Sequence, residues 1–445
     1  MITSSLAIIL LLENLYAYQY GLNTLLFFGI SAITIILIYL AEKRKGISTR
    51  TIFIELLIFT WPFSWTNIFG TEISEFQITW FYIVGLLYLL NSMLTKELDI
   101  HNLKLKKKNK VLDISFAILF IYIIIPLIMA NDFSNAIPDF IMIIFFLVLV
   151  FCAYMSKNKL PKEEFEKLIK SFIFINLISS LVIIFQYLMY TTTGNVFFKM
   201  NIAGSFAVGK MQVGSELLFE DASSATIMLG CGVLFSLLMA KENKINYIFS
   251  IVIAIGLAMT SRRTGVTALC IILPLYFLFN DNKFIKKVLS IGILCCFMIV
   301  ILYFINLSRP MENSSQLFED NGRMPDYLAA IDVIMENPFG IGYGDKYLAS
   351  LMVMAIPHNT ILRWLCFGGM ILAIPMTLVI LCSIWNAKKQ KNTIIFWSLL
   401  YTFLASNFIP DILNARFITV LCILAFLYDK EDKNVQKNID NCSDL

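Results

Sequence analysis

The chain has 445 residues, 58% of them hydrophobic and only 15% charged, with a formal net charge of +4. No soluble core requires that balance, and so small a net charge calls for no nucleic-acid partner. Its nine cysteines are an odd number set mostly inside apolar runs, so neither a disulfide framework nor a metal-ligand spacing is legible.

Apolar runs recur along the whole length, each long enough to cross about 30 Å of hydrocarbon. In chain order they predict spans at 5–20, 22–41, 51–69, 76–94, 111–130, 138–156, 170–190, 222–240, 246–261, 264–280, 285–305, 358–385, 393–409 and 413–428. The first is short and carries Glu13, which leaves a re-entrant or interfacial piece open. It has no basic segment before it and no small-residue site after it, so a removable signal peptide is not expected. The fold class is therefore an all-α polytopic integral membrane protein of about 12–14 transmembrane helices. Lys/Arg clusters at 42–50, 104–110, 156–170, 241–244, 281–287 and 387–391 are separated by even numbers of spans. One orientation thus puts every cluster, and both termini, on the cytoplasmic side. No internal repeat is visible.

That orientation sends three features outward. The turn "TSRRTG" (260–265) joins two spans and carries the adjacent Arg262 and Arg263. Two long loops follow the same side, at about 191–221 and 306–357. In the second, Met324, Leu328, Ile331 and Met335 recur at helical spacing, with Pro325 and Asp326 suited to a first turn and Pro338 as a stop. This predicts an amphipathic helix lying on the outer membrane surface, then a glycine-rich turn through Gly340, Gly342 and Gly344 that serves backbone geometry. The next span opens on His358, one of only two histidines; the other, His101, lies among inner lysines and is assigned nothing. The chain divides into transmembrane helices over 1–305, an extracytoplasmic loop over 306–357, C-terminal transmembrane helices over 358–428 and a cytoplasmic tail over 429–445.

The serine-arginine and TG turn, a lone Arg323 before a surface helix, "ENPFGIGYG" and "HN" at 358–359 together resemble the O-antigen polymerase/ligase family of bacterial membrane glycosyltransferases. The likeness covers roughly 250–370 well and the remaining spans loosely. It implies a GT-C-like fold and transfer of sugar from a polyprenyl-diphosphate carrier on the outer face of the cytoplasmic membrane. It also implies a catalytic His358, diphosphate-binding arginines among Arg262, Arg263 and Arg323, and a chain-length regulator as partner. "LLFEDASS" (217–224) faintly resembles an F-x-E-P-S element of the polymerases, with Ala222 in place of the proline.

The chemistry leads the same way. A departing diphosphate needs a cation aimed at its developing charge. The outer loops hold no D-x-D pair for a metal, so guanidinium is the counter-charge expected, with no metal and no cofactor. Arg363 and Arg416 stand in reserve near the same face. An imidazole suits deprotonation or orientation of the acceptor hydroxyl near neutral pH. Carboxylates at Glu220 and Asp221 would support an oxocarbenium-like transition state, and Asn359 adjoins the histidine. Plain structural roles compete: the arginine pair as a lipid anchor, His358 as a helix-mouth cap, Arg323 as a solvated charge. Glu13, Glu55 and Arg416 invite pairing for stability alone. Polymerisation of lipid-linked repeat units is the leading expectation. Transfer of finished glycan to lipid A–core or protein is the near alternative, and a flippase for the same glycolipids the far one.

Overall fold

The computed structural model describes residues 2–20, 24–64, 67–68, 78–95, 109–194, 222–260, 262–280, scattered positions between 288 and 303, 323–414 and 416–428. Among these residues helix accounts for 84% and no strand forms, so the architecture is all-α. The helices are α1 (Ile2–Tyr20), α2 (Thr24–Arg44), α3 (Thr49–Thr60), α4 (Trp80–Leu94), α5 (Lys110–Tyr122), α6 (Ile124–Ile128), α7 (Phe133–Met155) and α8 (Lys162–Thr193). They continue as α9 (Ala222–Met239), α10 (Ile245–Met259), α11 (Arg263–Asn280), α12 (Arg323–Glu336), α13 (Asp345–Leu351), α14 (Thr360–Lys389), α15 (Thr393–Ala405) and α16 (Phe417–Leu427). Every expected span overlaps one of these except 285–305, which lies largely outside the described residues.

Five of the helical segments are long and apolar enough to cross a membrane: 25–44, 110–128, 133–155, 162–193 and 360–389. On α2, Leu25, Ile33, Ile36 and Leu40 stay exposed while Ile35 and Ile38 are buried, a split suited to lipid outside and protein inside. The chain is thus a multi-pass membrane protein. Glu13 points at α2, where the Ser31 and Thr34 hydroxyls donate to it, so α1 is an ordinary helix of 19 residues.

The core gathers around α16, all of whose residues are buried among α7, α14 and α15. A helix apolar on every side has no other stable place. Around it α8 packs on α3, α9 and α10. Small residues set these distances: a Cβ on Gly232 would come within 2.7 Å of Asn176, and one on Gly256 within 2.6 Å of Ser180.

Contacts between connecting segments stay within one end of the bundle, as strict alternation of spans requires. At the lysine-rich end, Arg50 donates to Ser156 and to the carbonyls of Asn158 and Lys159. Lys167 bridges Glu42 and Glu55. The last carbonyls of α16, which have no partner within the helix, accept from Asn386, Lys159 and the Leu160 amide at 2.6, 2.7 and 2.9 Å. The opposite end holds the arginine turn, α12, α13 and His358.

Candidate functional site

The arginine turn is held by its own TG step. Gly265 lies so close to α9 that a Cβ would stand 2.5 Å from the Thr226 carbonyl oxygen. The Gly265 amide donates to the Thr226 hydroxyl at 3.2 Å, and the buried Tyr401 hydroxyl reaches the Gly265 carbonyl at 3.2 Å. The turn is therefore seated beside the start of α9, the segment that follows Glu220 and Asp221. Those two acids themselves lie outside the described residues.

Arg262 and Arg263 are both half-buried, and they differ. The Arg262 Nε is buried with no hydrogen-bond partner among the described residues. Arg263 is the first residue of α11, and the like charge of Arg323 acts on it through space. Arg323 is in turn the first residue of α12. A helix N-terminus carries partial positive charge, so a cation there is disfavoured by about 0.3–1 kcal/mol unless an anion is present. Two guanidiniums whose like charges act on one another form an arrangement that an anion would stabilise. A lipid anchor needs no such convergence.

α12 links Arg323 to the histidine. Arg323, Asp326 and Tyr327 stand at i, i+3 and i+4 and so share one helix face. The buried Asp326 carboxylate accepts three consecutive backbone amides: Val353 at 3.0, Met354 at 2.8 and Ala355 at 3.2 Å. Tyr327 donates its hydroxyl to the His358 carbonyl at 3.0 Å. The face that bears Arg323 therefore grips the chain leading into His358. Replacing Asp326 with alanine should destabilise this loop by about 2–3 kcal/mol and speed amide exchange at 353–355. Asp326→Asn should do about half as much, since one side-chain oxygen still serves Val353 and Met354; unchanged exchange in both variants would remove Asp326 from this role.

His358 is half-buried, with Nδ1 3.2 Å from the Ile356 carbonyl. A carbonyl only accepts, so in the neutral ring this bond keeps the proton on Nδ1 and makes Nε2 the basic nitrogen. Asn359 caps α14, accepting from Ile361 and Leu362 at 3.0 and 3.1 Å, and its amide donates to Asn407. Its role is to start the helix beside the histidine.

The apolar stripe expected on α12 faces outward: Met324, Leu328, Ile331 and Met335 are exposed, while Asp326, Ala330 and Val333 are buried, with α14 as neighbour. Beyond α12 the glycine-rich turn docks into a break in α14. At Gly368 and Gly369 that helix leaves helical geometry, and Gly369 has φ +59°. The break frees the carbonyls of Cys366 and Phe367, which accept instead from Ile341 and Gly342 at 2.8 and 3.0 Å. The approach is backbone on backbone. Gly340 and Gly342 have φ near +90°, and their Cβ atoms would meet Phe367 and Ala130 backbone at 2.3 and 2.6 Å. These glycines serve chain geometry. The expected span at 358–385 is thus two helical pieces, because the FGG step that reads as merely apolar is where the loop inserts.

Neither reserve arginine is placed for a ligand. The buried Arg363 meets three carboxylates: Asp139 through Nη2 at 2.6 Å, Asp345 in a fork at 2.8 and 2.9 Å, and Asp411 through Nη1. Phe367 stacks on the same guanidinium at 4.5 Å. Burial pushes the Asp411 carboxyl up, and the Arg363 charge beside it opposes that rise. Arg416 donates to the Ser64 carbonyl and the Thr79 hydroxyl and lies over the Tyr82 ring. It fastens the irregular chain before α16 to the loops flanking α3 and α4.

A bundle of this kind is an all-α polytopic membrane protein, with the arginine turn, His358 and a glycine turn set into a broken helix at one end. More narrowly, residues 248–376 match the family model described as O-antigen ligase. Over this stretch the chain is similar to the O-antigen polymerase/ligase family, a similarity that implies a glycosyl-transferring enzyme of that type. The stretch contains Arg262, Arg263, Arg323, His358 and Asn359. No curated protein matches the chain.

Proposed function

We propose that the protein polymerises polyprenyl-diphosphate-linked oligosaccharide repeat units, without a metal, on the outer face of the cytoplasmic membrane. The observation that carries this reading is the α12 face bearing Arg323, which grips the chain into His358 through Asp326 and Tyr327, with Arg263 as a like charge acting on Arg323. Arg263 and Arg323 hold the diphosphate of the donor, and Arg262 adjoins Arg263 with an Nε that has no hydrogen-bond partner among the described residues. His358 Nε2 takes the proton of the acceptor hydroxyl as that oxygen attacks the anomeric carbon. The bond from carbon to the phosphate oxygen breaks, and the electron pair leaves with the diphosphate. The positive-inside placement of the lysine-rich end supports the assignment of the site to the outer face.

The second reading, transfer of a finished chain to lipid A–core or protein, is favoured by the description of the matching family model. The glycolipids of a deletion strain separate the two. Loss of a polymerase leaves lipid carriers bearing one repeat unit; loss of a ligase leaves carriers bearing long chains. One-repeat intermediates, unrelieved by an Arg323→Ala variant that inserts normally, are the expected result. Long lipid-linked chains would replace polymerase by ligase.

A further inference from the structure

The depth of the glycine turn follows from the spanning helices it touches. On α14, Trp385 is 63% exposed with the Lys388 ammonium 5.6 Å from its ring centroid, an aromatic and a cation that mark a headgroup layer. A hydrocarbon core of about 30 Å takes about 20 helical residues, so counted from Trp385 it ends near Leu365. Gly368 and Gly369, where the turn docks, therefore lie about 5–6 Å inside the hydrocarbon. The pair α5 and α6 gives the same level independently. It runs antiparallel to α14, with Asn109 donating to the Cys382 Sγ at one end and Pro126 beside Gly368 at the other. Tyr122, one turn deeper than Pro126, donates its hydroxyl to the Phe339 carbonyl at 3.1 Å.

The backbone at that point is arranged for a place without water. Four consecutive amides, from Gly340 to Tyr343, donate to the carbonyls of Asn337, Cys366, Phe367 and Pro126 at 2.8–3.0 Å. A turn in water needs no such complete pairing, whereas irregular backbone at hydrocarbon depth must be satisfied by protein. α12 leads down to it. Tyr327 is level with His358, Ala330 accepts from the Cys366 Sγ, and Pro338 and Phe339 meet Gly369. The chain then climbs back, with Gly342 against Ala130 and Gly344 beside Asn135. Away from the buried Ala330 and Val333, the stripe of Leu328, Ile331, Met335 and Phe339 is 42–68% exposed. It continues the exposed apolar surface of two spanning segments, Ile121 and Ile128 on one and Met370 and Ile374 on the other. Asp332 and Glu336 are exposed on the adjoining flank, the polar side that such a helix turns to the headgroups.

We propose that α12 and the glycine turn form a re-entrant arm. α12 descends from the headgroup layer into the leaflet at the His358 end, and its stripe contacts phospholipid acyl chains. The arm is part of the membrane-embedded body, not the helix resting on the membrane surface that periodicity alone predicts. This rests on the bundle spanning a bilayer and does not depend on the glycosyl-transfer reading.

The test places photoreactive p-benzoylphenylalanine singly at Leu328, Met335 and Phe339 of the full-length protein, in vesicles of phosphatidylglycerol and phosphatidylethanolamine. Ile121 on α5 serves as the lipid-facing reference and Glu242, in the polar connection between α9 and α10, as the aqueous one. After irradiation, mass spectrometry should find acyl-chain adducts at Met335 and Phe339 as abundant as at Ile121, and none at Glu242. Adducts at Leu328 should fall closer to the glycerol backbone than those at Phe339, because α12 slopes. Adducts at Leu328 with none at Met335 and Phe339 would leave the helix on the surface and overturn the proposal. So would cross-links from Met335 and Phe339 to another segment of the chain or to a second copy, in place of lipid. If the protein labelled at Phe339 is not recovered, Met335 decides, and a lack of lipid adducts there counts against the arm.

Discussion

Replacing His358 with alanine should lower glycosyl transfer by about 10²- to 10⁴-fold while the protein inserts and melts normally, the range typical of a lost general base. The geometry supports a specific form of this result. His358 contributes its carbonyl to Tyr327 and its Nδ1 to Ile356, and the first of these bonds does not involve the ring. The backbone bond survives the substitution, and Asp326 still anchors the preceding loop. Activity should therefore fall without a matching fall in stability. Wild-type turnover should also decline as acid protonates the imidazole, and that limb of the pH profile should vanish from the residual activity of His358→Ala. A purified variant that turns over donor at the wild-type rate would end the base assignment; a drop with the acid limb intact would make His358 a positioning residue. Arg323→Lys keeps the charge and loses the fork, so it should lie between wild type and Arg323→Ala. Arg263→Ala and Arg323→Ala should combine non-additively, because each removes half of one clamp.

Sequence alone makes some of this site legible and hides the rest for physical reasons. The spans are visible because a bilayer imposes length and apolarity on every crossing, which is why the helices fall where hydropathy puts them. Arg323 and the α12 stripe are visible because 3.6-residue periodicity is local. Asp326 is legible only as a first-turn acid; its grip on 353–355 joins residues 27 to 29 positions apart. The FGG break in α14 is hidden for another reason. Glycines inside an apolar run do not announce a loop from elsewhere inserting its backbone there, and Gly369 stands against Pro338 at 2.1 Å for a would-be Cβ. Least legible is Arg363. It reads as a spare cation near the site, and only the fold brings Asp139, 224 positions away, onto its guanidinium.

That cluster sets the largest expected stability effect. Arg363→Ala should destabilise the protein by about 3–5 kcal/mol, the range for removing one partner of a buried ion pair, and should abolish recovery of folded protein. Asp139 and Asp411 are buried and would be left without their cation, whereas Asp345 is 43% exposed and can be hydrated. Arg363→Lys should rescue little, because one ammonium cannot span three carboxylates that now share Nε, Nη1 and Nη2 among them. Removing the acids together with the arginine should restore much of the fold, since an apolar replacement for a buried ionic cluster is often neutral or better. Arg363→Met with Asp139→Leu and Asp411→Leu is that variant, read by thermal melting in detergent. The functional consequence follows from position. Arg363 is one turn into α14, five residues beyond His358, and it ties Asp345 at the start of α13 to Asp411 before α16. A restored fold with poor transfer would mean that the charges also hold the loop in register for the reaction. Normal melting of Arg363→Ala alone would show that these carboxylates need no counter-charge, and the account of this end of the bundle would fail with it.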